Sequence, residues 1–138
     1  MSPSHVMPKI NQAFAVRCKQ VAKRFVTDTH EVMALRGVNL DVPAGEFLML
    51  VGPSGCGKTT LISVIAGILK ADEGECQILG ETYEKMSANA KMDFRAKNIG
   101  FVFQQFNLLP SLSVAENVAI PLIINGEHRI TAVEKACS

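Results

Sequence analysis

Residues 52–60 read GPSGCGKTT. Three glycines, a lysine and two threonines stand between one apolar run, FLMLV, and another rich in isoleucine and leucine. Glycine carries no side chain, so backbone N–H groups beside it can turn inward and approach another molecule closely. The spacing is G-x-x-x-x-G-K-T, set by Gly52, Gly57, Lys58 and Thr59. At the entrance to a helix, such a loop adds its N–H groups to the positive helix end and cradles phosphate oxygens. Lys58 supplies a mobile charge for the β- and γ-phosphates, Thr59 supplies a hydroxyl for magnesium, and Thr60 is placed to reach the α-phosphate. Pro53, Ser54, Gly55 and Cys56 complete the loop, Cys56 through its backbone and not its sulfur. A glycine-rich turn could match the spacing by chance, but the flanking elements supply the context that phosphate binding requires.

Five consecutive apolar residues within 46–51 predict a strand buried on both faces, as in a parallel sheet. Residues 58–69 predict a helix that is apolar on nearly all sides. Upstream, residues 14–19 alternate apolar and polar as a half-buried strand does, and 32–42 read as a second strand kinked near Gly37. Downstream, 75–79 and 99–103 read as short strands, and 87–97 as a polar helix capped by Ser87. Two capping boxes follow, Ser113 with Glu116 and Thr131 with Glu134, and Pro121 is expected to kink or end the first helix.

With 14 basic and 13 acidic residues the net charge is +1, which gives no argument for a nucleic-acid surface. Cys18, Cys56, Cys76 and Cys137 show neither metal-ligand nor redox-motif spacing and read as free thiols in a reducing compartment. The longest apolar stretches fall far short of the about 20 residues that span a membrane. The polar, proline-dotted residues 1–12 read as a flexible tail.

Residues 99–122, IGFVFQQFNLLPSLSVAENVAIPL, resemble the glutamine-loop region of ATP-binding cassette (ABC) ATPases, where a strand ends in glutamine before an apolar stretch and a helix. Residues 33–80, from MALRGVNLDV to ECQILG, resemble the start of such a domain, and the resemblance runs from Phe14 to the C-terminus. Residues 80–103 and FNLLPSLSVAENV look most like subunits of the lipoprotein-release and macrolide-export type, which energise extraction or export of lipids, lipoproteins and drugs. The resemblance implies an α/β fold: a P-loop NTPase core with an antiparallel β subdomain and the start of an inserted helical subdomain, truncated. Residues 13–138 would form the N-terminal portion, with the P-loop at about 52–60, the glutamine loop at about 103–110 and the helical subdomain from 111.

The same resemblance implies ATP and Mg2+ as cofactors. Phe25, in VAKRF, would stack on adenine, or else be an ordinary core or edge phenylalanine. Gln104, rather than Gln105, would contact magnesium and the attacking water, and Thr59 would share the metal. Phe106, Leu108 and Leu109 would face coupling helices of membrane-spanning partner subunits, or be buried in the same domain. The implied partners are those subunits and a second ATP-binding subunit, with no nucleic acid and no direct membrane insertion. The implied location is the cytoplasmic face of the inner (plasma) membrane.

Complete members of the family run about a hundred residues longer. These 138 residues contain no LSGGQ signature and no apolar strand ending in Asp-Glu, and His5, His30 and His128 do not match the family's switch histidine. The chain is therefore expected to bind MgATP but not to hydrolyse it alone. Two other readings are a truncated non-catalytic nucleotide-binding module and a P-loop nucleotide kinase. The kinase would need clustered arginines, whereas Arg17, Arg24, Arg36, Arg95 and Arg129 are scattered.

Overall fold

A computed structural model describes residues 13–105 and 107–138. The tail expected at 1–12 and Phe106 lie outside the described residues. The chain divides into two units, Met1–Met86 and Ser87–Ser138.

The first unit is organised by a long hairpin. Strands β1 (Phe14–Val26) and β2 (Glu31–Pro43) pair antiparallel, with Val26 opposite Glu31 and Phe14 opposite Pro43. Thr27 closes the turn: its N–H donates to the His30 carbonyl at 2.8 Å, and its hydroxyl accepts the His30 N–H at 3.3 Å. Strand β3 (Glu73–Ile78) pairs with the other edge of β1, and the short β4 (Glu81–Thr82) follows, giving the order β2-β1-β3-β4. The alternation legible at 14–19 breaks at Gln20, yet the strand continues. Gln20 has φ 49°, and the register shifts between Cys18 and Val21. A bulge of this kind returns the side chains to the inner face after an extra residue. Gly74 permits it: a Cβ there would sit 2.2 Å from the Gln20 carbonyl oxygen, and its φ is +83°.

Val21, Cys18 and Cys76 are the largest fully enclosed side chains, joined in the core by Leu35 and Ile78 and by Leu61 and Val64 of α1 (Lys58–Ile65). The register brings Cys18 opposite Cys76, with sulfurs 3.6 Å apart, a pairing that cysteine spacing did not reveal. Helix α1 stops at Ile65 rather than at 69. Gly67 takes a left-handed φ of 67° and donates to the Val64 carbonyl, and the N–H groups of Ile68 and Leu69 both turn back to Ser63.

Two expected strands are absent. Residues 46–51 form no strand, and Phe47 (86%), Met49 (69%) and Val51 (84%) are exposed rather than buried on both faces. A parallel strand takes its hydrogen bonds from neighbours on either side, and no described residue supplies such a ladder here. Residues 99–103 likewise form none, although the rings of Phe101 and Phe103 meet edge-on at 4.7 Å.

The second unit contains α2 (Ala88–Asn98), α3 (Val114–Ile124) and α4 (Arg129–Ala136). Ser87 caps α2 as expected, its hydroxyl accepting the Ala90 N–H. Ser113 and Glu116 form the capping box of α3. Pro121 does not end α3, which runs on to Ile124. The second expected box is not formed: α4 starts at Arg129 after His128, so Thr131 lies inside the helix. Ala119 and Ala132 are both completely buried in this unit.

Gly74→Ala would force a Cβ onto the Gln20 carbonyl at positive φ, and about 1–3 kcal/mol of stability should be lost. Denaturant unfolding measures this, and an unchanged midpoint would contradict it. Glu116 gives a pH signature. The Ser113 N–H, the Arg129 guanidinium and the Ser113 hydroxyl hold its carboxyl down at about 2 from an ordinary 4.5. A depressed carboxylate stabilises fully above its unfolded value and loses that effect as pH falls through its folded value. The stability gap between wild type and Glu116→Gln, read by helical circular dichroism, should therefore be full above pH 4.5 and close as pH falls towards 2.

Candidate phosphate-binding site

Residues 52–57 form an exposed loop leading into α1, with Gly55 at φ 79° and Gly57 at φ 93°. Gly57 is required twice over. Its backbone is left-handed, and a Cβ would lie 2.4 Å from the Ala34 carbonyl oxygen and 3.3 Å from Leu35 Cδ2. The loop is thereby seated against β2. A Cβ on Gly52 would likewise meet the Cys56 sulfur at 3.0 Å.

Gly57 caps α1 with no side-chain hydrogen bond, so the first-turn N–H groups remain open. Among the described residues, the N–H groups of Gly55, Gly57 and Lys58 donate to no backbone acceptor. Lys58 folds back across the loop. Its ammonium donates to the carbonyls of Gly52 at 2.7 Å and Pro53 at 2.6 Å, and to Cys56 Sγ at 3.4 Å. A ring of backbone thus encloses a cation beside open N–H donors, which suits an anion with several oxygens. Pro53, Ser54 and Thr59 are exposed, and Thr60 is half-buried.

Phe25 lies near the end of β1 opposite Val32 and is 39% exposed, so it is not a core phenylalanine. Lys23 Nζ stands 5.7 Å from its ring centroid. Lys23 pairs with Leu35, the residue after the Ala34 that Gly57 packs against, so one stretch of hairpin carries both Phe25 and the loop's seat. Asp72, seven residues past the end of α1, accepts from the Lys23 ammonium and the Arg24 N–H, which hold its carboxyl below the usual range.

Gln104 and Gln105 belong to the second unit and are exposed. Leu108 (60%) and Leu109 (51%) are exposed as well, not buried in their own unit. They line a shallow cavity of about 240 Å³ with Leu112 and Val118. Sequence reasoning missed the residue that shapes this loop. The Asn117 amide pairs with both backbone groups of Leu109, accepting its N–H at 2.8 Å and donating to its carbonyl at 3.2 Å, and it also donates to the carbonyls of Leu112 and Ser113. Its position in the first turn after a capping box was the available signal. No group of three or more His, Cys, Asp or Glu side chains among the described residues could hold a metal.

Comparison with known proteins gives this arrangement a class. The fold is similar to the dimeric post-hydrolysis state of the ATP-binding cassette MJ0796 bound to ADP and Pi, with TM-score 0.81 and 36% identity over 88% of this chain and 54% of that one. It is the fold of a P-loop NTPase core bearing an antiparallel β subdomain. Residues 35–138 match the ABC transporter family, and the chain belongs to it. It is 38% identical over 111 residues to the lipoprotein-releasing system ATP-binding protein LolD of Francisella tularensis, covering 80% of this chain and 48% of the relative. It is 44% identical over 98 residues to the uncharacterized ABC transporter ATP-binding protein YbbA of Escherichia coli K12, covering 71% and 43%. The chain spans about half the length of the curated relatives it matches.

Asn117→Ala removes both amide contacts to the Leu109 backbone. At about 1 kcal/mol per hydrogen bond, exchange of the Leu109 N–H should speed up by roughly tenfold or more. Hydrogen exchange read by NMR tests this, and an unchanged Leu109 rate would show that the clip holds nothing.

Proposed function

We propose that this chain is the nucleotide-binding portion of an ABC transporter ATPase subunit and binds MgATP through residues 52–60. The observation that carries this reading is the loop itself: open N–H groups of Gly55, Gly57 and Lys58 at an uncapped helix start, with the Lys58 ammonium across them. The family match and the two ATP-binding relatives support it. Thr59 is the hydroxyl ligand for magnesium in this proposal, and Gln104 the amide ligand and water contact. Few protein ligands suffice because magnesium keeps most of its waters, and its chemistry is to neutralise charge on the phosphate oxygens. Phe25 is the adenine platform.

In the proposed assembly a second ATP-binding subunit faces this one, and membrane-spanning subunits dock beside the glutamine loop. The position is peripheral, on the cytoplasmic face of the inner membrane. The similarity to lipoprotein-releasing subunits favours extraction or export of a lipid-linked substrate. No helix among the described residues is long and apolar enough to cross a membrane.

Lys58→Ala should weaken ATP binding by about 10- to 100-fold, since charge-assisted hydrogen bonds contribute about 1.5–3 kcal/mol. Titration calorimetry on wild type and variant checks this, and equal affinities in folded proteins would refute the assignment. The 138-residue chain on its own, which contains no LSGGQ, should bind ATP without steady-state phosphate release.

A further inference from the structure

Asp72 reaches back to β1 three times. Its N–H donates to the Ala22 carbonyl at 2.9 Å, its Oδ2 accepts the Arg24 N–H at 2.7 Å, and its Oδ1 accepts from the Lys23 ammonium at 2.9 Å. The Lys23 side chain is only 15% exposed, and its Nζ lies over the Phe25 ring. Arg24, the neighbouring cation, is engaged elsewhere, with Glu31 at 3.1 Å and Glu73 at 3.9 Å.

We propose that Asp72 is a positioning residue for base recognition: it pins Lys23 over one face of Phe25, so that the other face of the ring receives the base of the bound nucleotide. The inference rests on the reading of residues 52–60 and Phe25 as a nucleotide site. An aromatic ring has two faces, and a cation held on one leaves the second for stacking. Lysine is a flexible four-carbon stem with a strongly hydrated head. Without a fixed carboxylate its ammonium returns to water, and the ring near the end of the strand loses its backing. Asp72 also follows directly on the segment leaving α1, the helix that the phosphate loop opens. The chain that leaves the loop through α1 thus returns, seven residues after the helix ends, to hold the base platform.

Two ligands separate this role from a general structural one. MgATP uses both loop and platform, whereas magnesium tripolyphosphate has no base and uses the loop alone. Binding of each is measured by calorimetry for wild type, Asp72→Asn, Lys23→Met, Phe25→Ala and the double variant Asp72→Asn/Phe25→Ala. Asparagine retains an oxygen for the Arg24 N–H, and Lys23→Met gives an independent route should the Asp72 variant fold poorly.

Asp72→Asn and Lys23→Met should each lower MgATP affinity by about three- to tenfold, and Phe25→Ala by about tenfold, with tripolyphosphate unchanged. The double variant should match Phe25→Ala alone. Equal losses for both ligands would assign Asp72 a merely structural role and overturn the proposal. So would wild-type ATP affinity in both Asp72→Asn and Lys23→Met while Phe25→Ala weakens it, and in that case the platform reading survives. If Phe25→Ala leaves ATP affinity unchanged, platform and proposal fall together. If wild type binds neither ligand, the phosphate reading falls and takes the proposal with it.

Discussion

The carbonyl oxygen of Ala34 stands where a Cβ on Gly57 would have to be. On this contact depends the joining of loop to sheet, because only a residue without a side chain lets the loop close down on β2. The left-handed φ of Gly57 then turns the chain abruptly into α1. The turn has a chemical consequence. A serine or aspartate cap would have occupied a first-turn N–H with its own oxygen. Glycine offers none, so those donors stay open at the positive helix end. Steric necessity at Ala34 and the open N–H donors at the helix start follow from the same missing side chain.

Lys58 is tied into the loop it belongs to. Its ammonium is held by two carbonyls of its own loop, so the charge is solvated by the backbone and kept in place. On the proposed reading, an arriving anion would exchange contacts with a cation already positioned, and the side chain would lose less conformational freedom on binding than one drawn from solvent. The loop thereby lowers the entropic cost of fixing its own lysine.

The local chemistry was legible in the sequence and the long-range pairing less so. The Gly57-Lys58 spacing, the Ser87 cap and the Ser113–Glu116 box are decided within four or five residues, and each is where the pattern placed it. The strand expected at 46–51 is different. FLMLV has the composition of a doubly buried strand, but composition states a preference that only paired neighbours can satisfy, and among the described residues Phe47 and Val51 stay exposed. The Gln20 bulge was hidden for a related reason: it is set by Gly74 and Asn39, distant in sequence. Cys18 and Cys76, and Lys23 and Asp72, meet only because β1 lies beside β3 and the α1 exit. The Thr131 box failed because a capping pattern competes with its surroundings. Here α4 begins at Arg129, whose guanidinium pairs with Glu116, and Thr131 is left inside the first turn.

The second unit follows a complementary logic. Glu116 is both the capping partner of Ser113 and the anchor for Arg129, while Asn117, its neighbour, grips Leu109 and Leu112. Two adjacent side chains therefore fix the start of α3, its tie to α4 and the course of the preceding loop. The loop has exposed leucines, and apolar side chains in water would otherwise favour collapse onto any available surface. Holding the backbone by amide hydrogen bonds keeps Leu108 and Leu109 displayed rather than folded inward. The ordering of this exposed apolar loop is thus done by hydrogen bonds to its backbone and not by burial of its side chains. The polar residues Asn117 and Glu116 thus govern the course of the apolar loop, and they do so from the start of α3 that Glu116 helps to cap.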